Sequence, residues 1–171
     1  LAIRCWIEMQ QQLGVSPCVL LGLLNNKCFA SACEVDIGNA ITMHALSLAT
    51  GKPSVCMDWN NNYGDDEDKC ILFHCGSVAP SLMTCSGHVT GHAILENAVG
   101  KGCSFGCNQG TVKPMPFSYG SMLTENGKVC FYVGQGRITE DVIPADFFGC
   151  AGVAEIENLQ DKLQQIGYLG H

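Results

Sequence analysis

A chain of 171 residues, 47% of them hydrophobic, is long enough to bury one good core, or one domain and a piece of another. Charged residues make up only 15% and the net charge is −7, which excludes the basic patch that a nucleic-acid binder sets against phosphate. No apolar run reaches the ~18 residues of a membrane span and no basic-then-apolar signal segment opens the chain, so the expectation is a soluble protein without membrane contact.

In chain order, residues 2–13 read as a helix with Ile3, Trp6, Met9 and Leu13 on one face. Ser16-Pro17 then opens a second helix over Cys18–Asn25. A third runs from Asp36 to Thr50, stopped by Gly51 and Pro53, which leaves Glu34 just ahead of it. From Pro53 onward the pattern turns to β. Ser54–Trp59 and Lys69–Cys75 have strand length and flank a polar loop, Asp58-Trp59-Asn60-Asn61-Asn62-Tyr63-Gly64-Asp65-Asp66-Glu67-Asp68. Phe117–Glu125 and Lys128–Gly136 are joined by Asn126-Gly127, the strongest short hairpin signal in the chain. Val112–Phe117, with two prolines, suits an edge strand. Short helices are expected over 92–99 and 158–166. The fold class is therefore α+β: the helical end of an α/β domain (1–52), followed by an antiparallel, Greek-key-like β-barrel domain (53–171). Leu1 opens in what reads as mid-helix and His171 closes directly after Gly170, so both ends read as cuts through something larger.

Twelve cysteines invite a disulfide framework, but most lie inside apolar runs and no Cys-x-x-Cys pair occurs. They read as reduced thiols packed like small hydrophobes, which places the protein in the cytoplasm.

Against this apolar background a few potential ligands stand out. Glu34, Asp58, His74 and His171 give two carboxylates and one or two imidazoles, a set suited to a divalent cation. Taken singly, each has an ordinary explanation. Glu34 is a helix-start charge, Asp58 a strand-end acid, His74 a satisfied core histidine and His171 a terminus. The amides of Asn60–Asn62 are suited to orienting ligands by hydrogen bonds. Asp65–Asp68 reads as a solvated turn, lacking the alternation of a calcium loop. His88 and His92 are four apart, but Gly87 and Gly91 interrupt the helix that would align them.

Four stretches carry a resemblance: Ala2-Ile3-Arg4-Cys5-Trp6, Ser31-Ala32-Cys33-Glu34-Val35-Asp36, Asp58-Trp59-Asn60-Asn61-Asn62-Tyr63-Gly64 and Pro144-Ala145-Asp146-Phe147-Phe148-Gly149. The chain resembles the L-fucose isomerase-like proteins of the L-fucose/L-arabinose isomerase superfamily, over essentially its whole length. The resemblance implies a metal-dependent aldose–ketose isomerase working through an enediol on an open-chain sugar such as L-fucose or L-arabinose. It implies Mn²⁺, or another divalent cation, held by Glu34, Asp58 and His171, with His74 as a fourth ligand. Glu34 and Asp58 would also carry the proton, and Trp59, Asn60 and Asn61 would contact the sugar. It further implies N-terminal domains beyond this chain, a homo-oligomer that completes the pocket, and little turnover by this piece alone. The competing readings are a non-catalytic barrel module used in assembly and a metal-dependent hydrolase.

Overall fold

The computed structural model describes residues 1–145 and 147–166. His171 therefore lies outside the described residues. Among the described residues, five α-helices, one short 3₁₀ turn and seven strands follow in the order α1 (Glu8–Leu13), α2 (Cys18–Asn25), α3 (Ile37–Thr50), β1 (Asp58–Tyr63), β2 (Asp66–His74), the 3₁₀ turn Pro80–Leu82, β3 (His88–Gly91), α4 (Ala93–Val99), β4 (Phe105–Thr111), β5 (Met115–Glu125), β6 (Lys128–Ile138), β7 (Cys150–Glu155) and α5 (Leu159–Gln165).

Helix α3 forms where expected because its start and stop are both chemically specified. Asp36 caps it, its Oδ1 accepting from the Asn39 N–H at 2.8 Å, and Gly51 ends it in the left-handed conformation at φ 66°. The first expected helix is shorter than its apolar spacing suggested, beginning only at Glu8. Ahead of it the backbone is used differently: Ala32 donates to Leu1 O, Ile3 to Ala32 O and Val35 to Ile3 O, so residues 1–3 run alongside 30–35 as a short ribbon. Amides that donate across to another segment are not available to an i→i−4 ladder.

A second correction concerns the polar stretch after Asp58. It is not a loop but the edge strand β1, paired antiparallel to β2 from Asp58↔Phe73 to Tyr63↔Asp66 around a turn at Gly64. The register shifts between Trp59 and Asn61, so Asn60 is the extra residue of a bulge. A strand at the sheet edge has one row of backbone groups facing water and tolerates polar side chains that a central strand would not.

The hub of the sheet is β7. It pairs along its length with β2 (Lys69↔Glu155 to His74↔Cys150). Its other edge is shared by a parallel pairing to β4 (Gly110↔Cys150, Thr111↔Ala151) and an antiparallel pairing to β6 (Arg137↔Glu155, Ile138↔Ala154). The path runs β1-β2-β7-β4-β3, and the β5–β6 hairpin branches off through β6. This corrects the expected antiparallel barrel. The described sheet is mixed and open, since β1 and β3 end the path and β5 pairs only with β6. A six-residue β7 divided between two neighbours leaves no continuous ladder to close. The β5–β6 hairpin itself is as expected, with Asn126 and Gly127 both at positive φ (50° and 75°), the geometry of a type I′ turn. Helix α3 packs on β5, where a Cβ on Gly38 would lie 3.0 Å from the Met122 carbonyl oxygen.

The main core joins one face of β2 and β7 to α5: Cys70, Leu72, Val78, Met83, Val112, Ile138, Cys150, Ala154, Ile156, Leu159 and Leu163. All twelve cysteines are free thiols. Among the described residues no helix is long and apolar enough to cross a membrane.

The core thiols make stability depend on pH. Burial pushes Cys70 and Cys150 each up to about 12. In the unfolded chain a thiol ionises near pH 8.5, so above that pH the folded state holds protons that the unfolded state has released. The stability is complete below about pH 8.5 and falls by roughly 1.4 kcal/mol per pH unit per thiol as pH rises toward 12. Urea unfolding under reducing conditions should give a flat midpoint to pH 8 and a steep fall by pH 10.5, shallower in Cys70→Ala. A midpoint flat to pH 11 would contradict it.

Candidate functional site

Glu34 sits in the bend between the ribbon and α3, with Glu34 and Val35 both in the left-handed region at φ 58° and 59°. Such a bend is uncommon for residues with a Cβ, and here its backbone is tied at two points. The Glu34 N–H donates to Cys5 Sγ at 3.3 Å, and the Asp36 N–H to Cys33 O at 3.0 Å. The exposed carboxylate accepts from the Trp6 indole, Nε1 to Oε1 at 2.9 Å.

Asp58 is the first residue of β1 and His74 the last of β2, so the pairing of these strands brings both to one end of the hairpin. Asp58 lies directly across from Phe73. Phe147 and Phe148, from the Pro144–Gly149 stretch, pack on Phe73 with ring centroids 5.9 and 5.2 Å away, and Phe148 also meets His92. A cluster of half-buried phenyl rings therefore gathers around Phe73, the register partner of Asp58.

His74 is 4% exposed. Its Nε2 is 3.1 Å from Cys33 Sγ, and its Nδ1 is 3.2 Å from Ser77 Oγ and 3.6 Å from Cys75 Sγ. Burial pushes the imidazole down, but the Cys75 sulfur and the charges of Asp58 and Glu34 outweigh it and raise His74 to about 9. Cys75 in turn is drawn far below the usual thiol range by hydrogen bonds from Cys18 and Cys33, then His74 and His92, against its own burial. Behind the carboxylates there is thus a buried imidazolium beside a sulfur that prefers the thiolate.

Burial pushes the Cys56 thiol up, and the charges of Asp36, Asp58 and Glu34 push it further the same way. Glu34 follows Cys33, whose Sγ meets His74, and Asp58 lies across from Phe73, next to His74, so Glu34, Asp58 and His74 share one neighbourhood. The remaining residues singled out from sequence are placed elsewhere. Trp59 turns into the core side, its ring edge-on to Tyr119 at 5.5 Å and Nε1 3.4 Å from Tyr132 Oη. Asn60 and Asn61 are exposed along the edge strand. His92 caps α4, its Nδ1 accepting from the Leu95 N–H, while His88 lies exposed in β3.

As a cation site, this arrangement supplies hard oxygen donors in Glu34 and Asp58, which fit a divalent ion. The His74 ring nitrogens lie within hydrogen-bond reach of Cys33 Sγ and Ser77 Oγ. Among the described residues no three His, Cys, Asp or Glu side chains form a ready-made metal shell. Cys33, Cys75, Ser77 and Phe147–Phe148 had no assigned role from sequence. Only the position of Cys33 beside Glu34, and the Phe147-Phe148 pair inside a recognisable stretch, gave any signal.

Comparison with known proteins places the chain in a family. Residues 72–168, more than half of the chain, match the family described as L-fucose isomerase, C-terminal domain. The chain is 30% identical over 107 residues to the sulfoquinovose isomerase of Clostridium sp. (strain MSTE9), covering 63% of this chain and 24% of that protein. It is 28% identical over 112 residues to that of Priestia aryabhattai (66% of this chain, 25% of that protein) and 35% over 83 residues to that of Alkalicoccus urumqiensis (48% and 18%). The chain spans about a quarter of the length of these curated relatives, all of them sugar isomerases. By the match that runs from inside β2 through α5, this chain belongs to the L-fucose isomerase C-terminal domain family.

Proposed function

We propose that this chain supplies the proton-transfer and cation-binding part of an aldose–ketose isomerase that acts on an open-chain sugar. The observation that carries the reading is the shared neighbourhood of Glu34, Asp58 and His74, in a chain whose relatives are sugar isomerases. Glu34 and Asp58 hold the divalent cation, Mn²⁺ by preference, and His171 joins them. When bound, the cation supplies Lewis acidity at the sugar oxygens. One carboxylate takes the proton from C2 of the aldose and returns it to C1, while a proton passes from O2 to O1, so the sugar isomerises without gain or loss of atoms. The Phe73, Phe147 and Phe148 rings give the apolar C–H face of the sugar a surface to rest on and exclude water beside Asp58. The His74 imidazolium balances the negative charge of the pair from behind. The substrate is a six-carbon aldose, L-fucose or a sulfonated hexose such as the relatives' names indicate, ahead of L-arabinose. The remaining three quarters of a relative-length protein, and a second copy, complete the pocket, and free thiols suit the reducing cytoplasm.

The test is proton exchange. A protein carrying this chain at the length of its relatives, given Mn²⁺ and a panel of aldoses in D₂O, should form ketose with deuterium or transferred hydrogen at C1. Hydrolysis of an ester or amide without any such exchange would favour the hydrolase, and neither reaction with any substrate would favour the assembly module.

A further inference from the structure

The stretch Arg4-Cys5-Trp6 has no part in the chemistry above, yet the fold delivers it to Glu34. The ribbon between residues 1–3 and 30–35 fixes the register of the two segments, and two consecutive residues then grip Glu34 at different places. Cys5 takes its backbone N–H through Sγ, and Trp6 takes one carboxylate oxygen through Nε1. An indole N–H is a donor only, so in this contact the Glu34 oxygen is the acceptor. A solvent-exposed Glu otherwise samples many rotamers, and a ligand that must freeze one binds more weakly.

We propose that Trp6 is a positioning residue for Glu34: its indole fixes Oε1 and the side-chain rotamer, and leaves Oε2 for the cation. The inference rests on the proposed role of Glu34 in cation binding. Trp6 itself touches neither substrate nor cation. Half of the indole (51%) is exposed, so the contact is not a by-product of core packing. Replacing it by a smaller ring leaves the buried clusters intact.

The experiment uses this chain and two readouts. Without metal, the Hα–Hβ couplings of Glu34 measured by NMR should report a single χ1 rotamer in the wild type and averaging in Trp6→Phe, which keeps an aromatic ring and removes the donor. Trp6→His, which restores a ring N–H, should recover part of the wild-type couplings. Averaged couplings already in the wild type, or identical couplings in Trp6→Phe, overturn the proposal whatever the metal does. With Mn²⁺, titration calorimetry should show about tenfold weaker binding in Trp6→Phe, and Mn²⁺ should broaden the Trp6 indole resonance. Unchanged affinity in Trp6→Phe together with loss of binding in Glu34→Gln refutes the positioning role alone. A fixed rotamer lost in Trp6→Phe, with binding indifferent to Glu34→Gln, supports the positioning and refutes the cation role instead.

Discussion

Glu34→Gln and Asp58→Asn are each expected to lower ketose formation by a protein of the relatives' length by about a thousandfold or more, with little change in the fold. The size follows from what each amide removes. It keeps the shape of the side chain but has no negative charge for a divalent cation and no basic oxygen for a C–H proton. General base catalysis alone is worth roughly 10²–10⁴ in rate. The fold should tolerate both changes, because Glu34 is exposed and Asp58 is half-buried at a strand start. Glu34→Gln is the more instructive variant, since the amide carbonyl still accepts from the Trp6 indole, so the charge is lost while the position is kept. A check that needs no turnover is available on this chain. Both carboxylates help hold His74 up at about 9, so removing either charge should move the imidazole titration downward in an NMR experiment. Turnover within tenfold of wild type in both variants, with His74 titrating unchanged, would remove Glu34 and Asp58 from the reaction.

These two carboxylates stand out in the sequence as candidates because charged residues are only 15% of the chain. Asp36, two residues after Glu34, caps a helix that was itself plain from its cap, its apolar spacing and Gly51. Asn126-Gly127 was equally plain, since both residues of a type I′ turn need positive φ and few residue types supply it. The polar edge strand was not legible. Asn60–Asn62 has the composition of a loop, and only the pairing of Asn61 and Asn62 to Ile71 and Cys70 makes it β. Strand β7, Cys150-Ala151-Gly152-Val153-Ala154-Glu155, was missed for the opposite reason: all but its last residue are buried, so no alternation marks it. Because β7 is the hub, missing it also hid the parallel pairing that rules out an antiparallel barrel. The supports of the site were hidden by sequence distance. Trp6 reaches Glu34 across 28 residues and Cys33 reaches His74 across 41, and neither contact has a local pattern. Chemistry at a site shows in residue type; the scaffold that aims it shows only in three dimensions.

Gly149→Ala should destabilise the fold by about 2–4 kcal/mol, although it adds one methyl group at a strand end. Gly149 has φ 74°, where an L residue with a Cβ pays on the order of 1 kcal/mol in backbone strain. The larger part is steric. A Cβ there would lie 2.5 Å from the His74 carbonyl oxygen, 2.9 Å from Cys75 Cα and 3.1 Å from Cys75 C, all backbone atoms with no flexible tip to swing aside. Those atoms cannot retreat cheaply, because His74 is paired with Cys150 in the β2–β7 ladder while the Gly110 N–H donates to the Gly149 carbonyl at 2.9 Å. Three strands meet at this residue, and overpacking of that kind costs about 1–3 kcal/mol beyond the strain. Gly127 provides the comparison. It has nearly the same φ, 75°, but no atom within 4 Å of the added Cβ, so Gly127→Ala should lose only about 1 kcal/mol. Urea unfolding of the two variants side by side separates the terms, and equal losses would show that the close approach at Gly149 is relieved by relaxation. If the approach is real, Gly149→Ala must also displace the His74–Cys75 backbone, and weaker Mn²⁺ binding should accompany the loss of stability even though neither Glu34 nor Asp58 is altered.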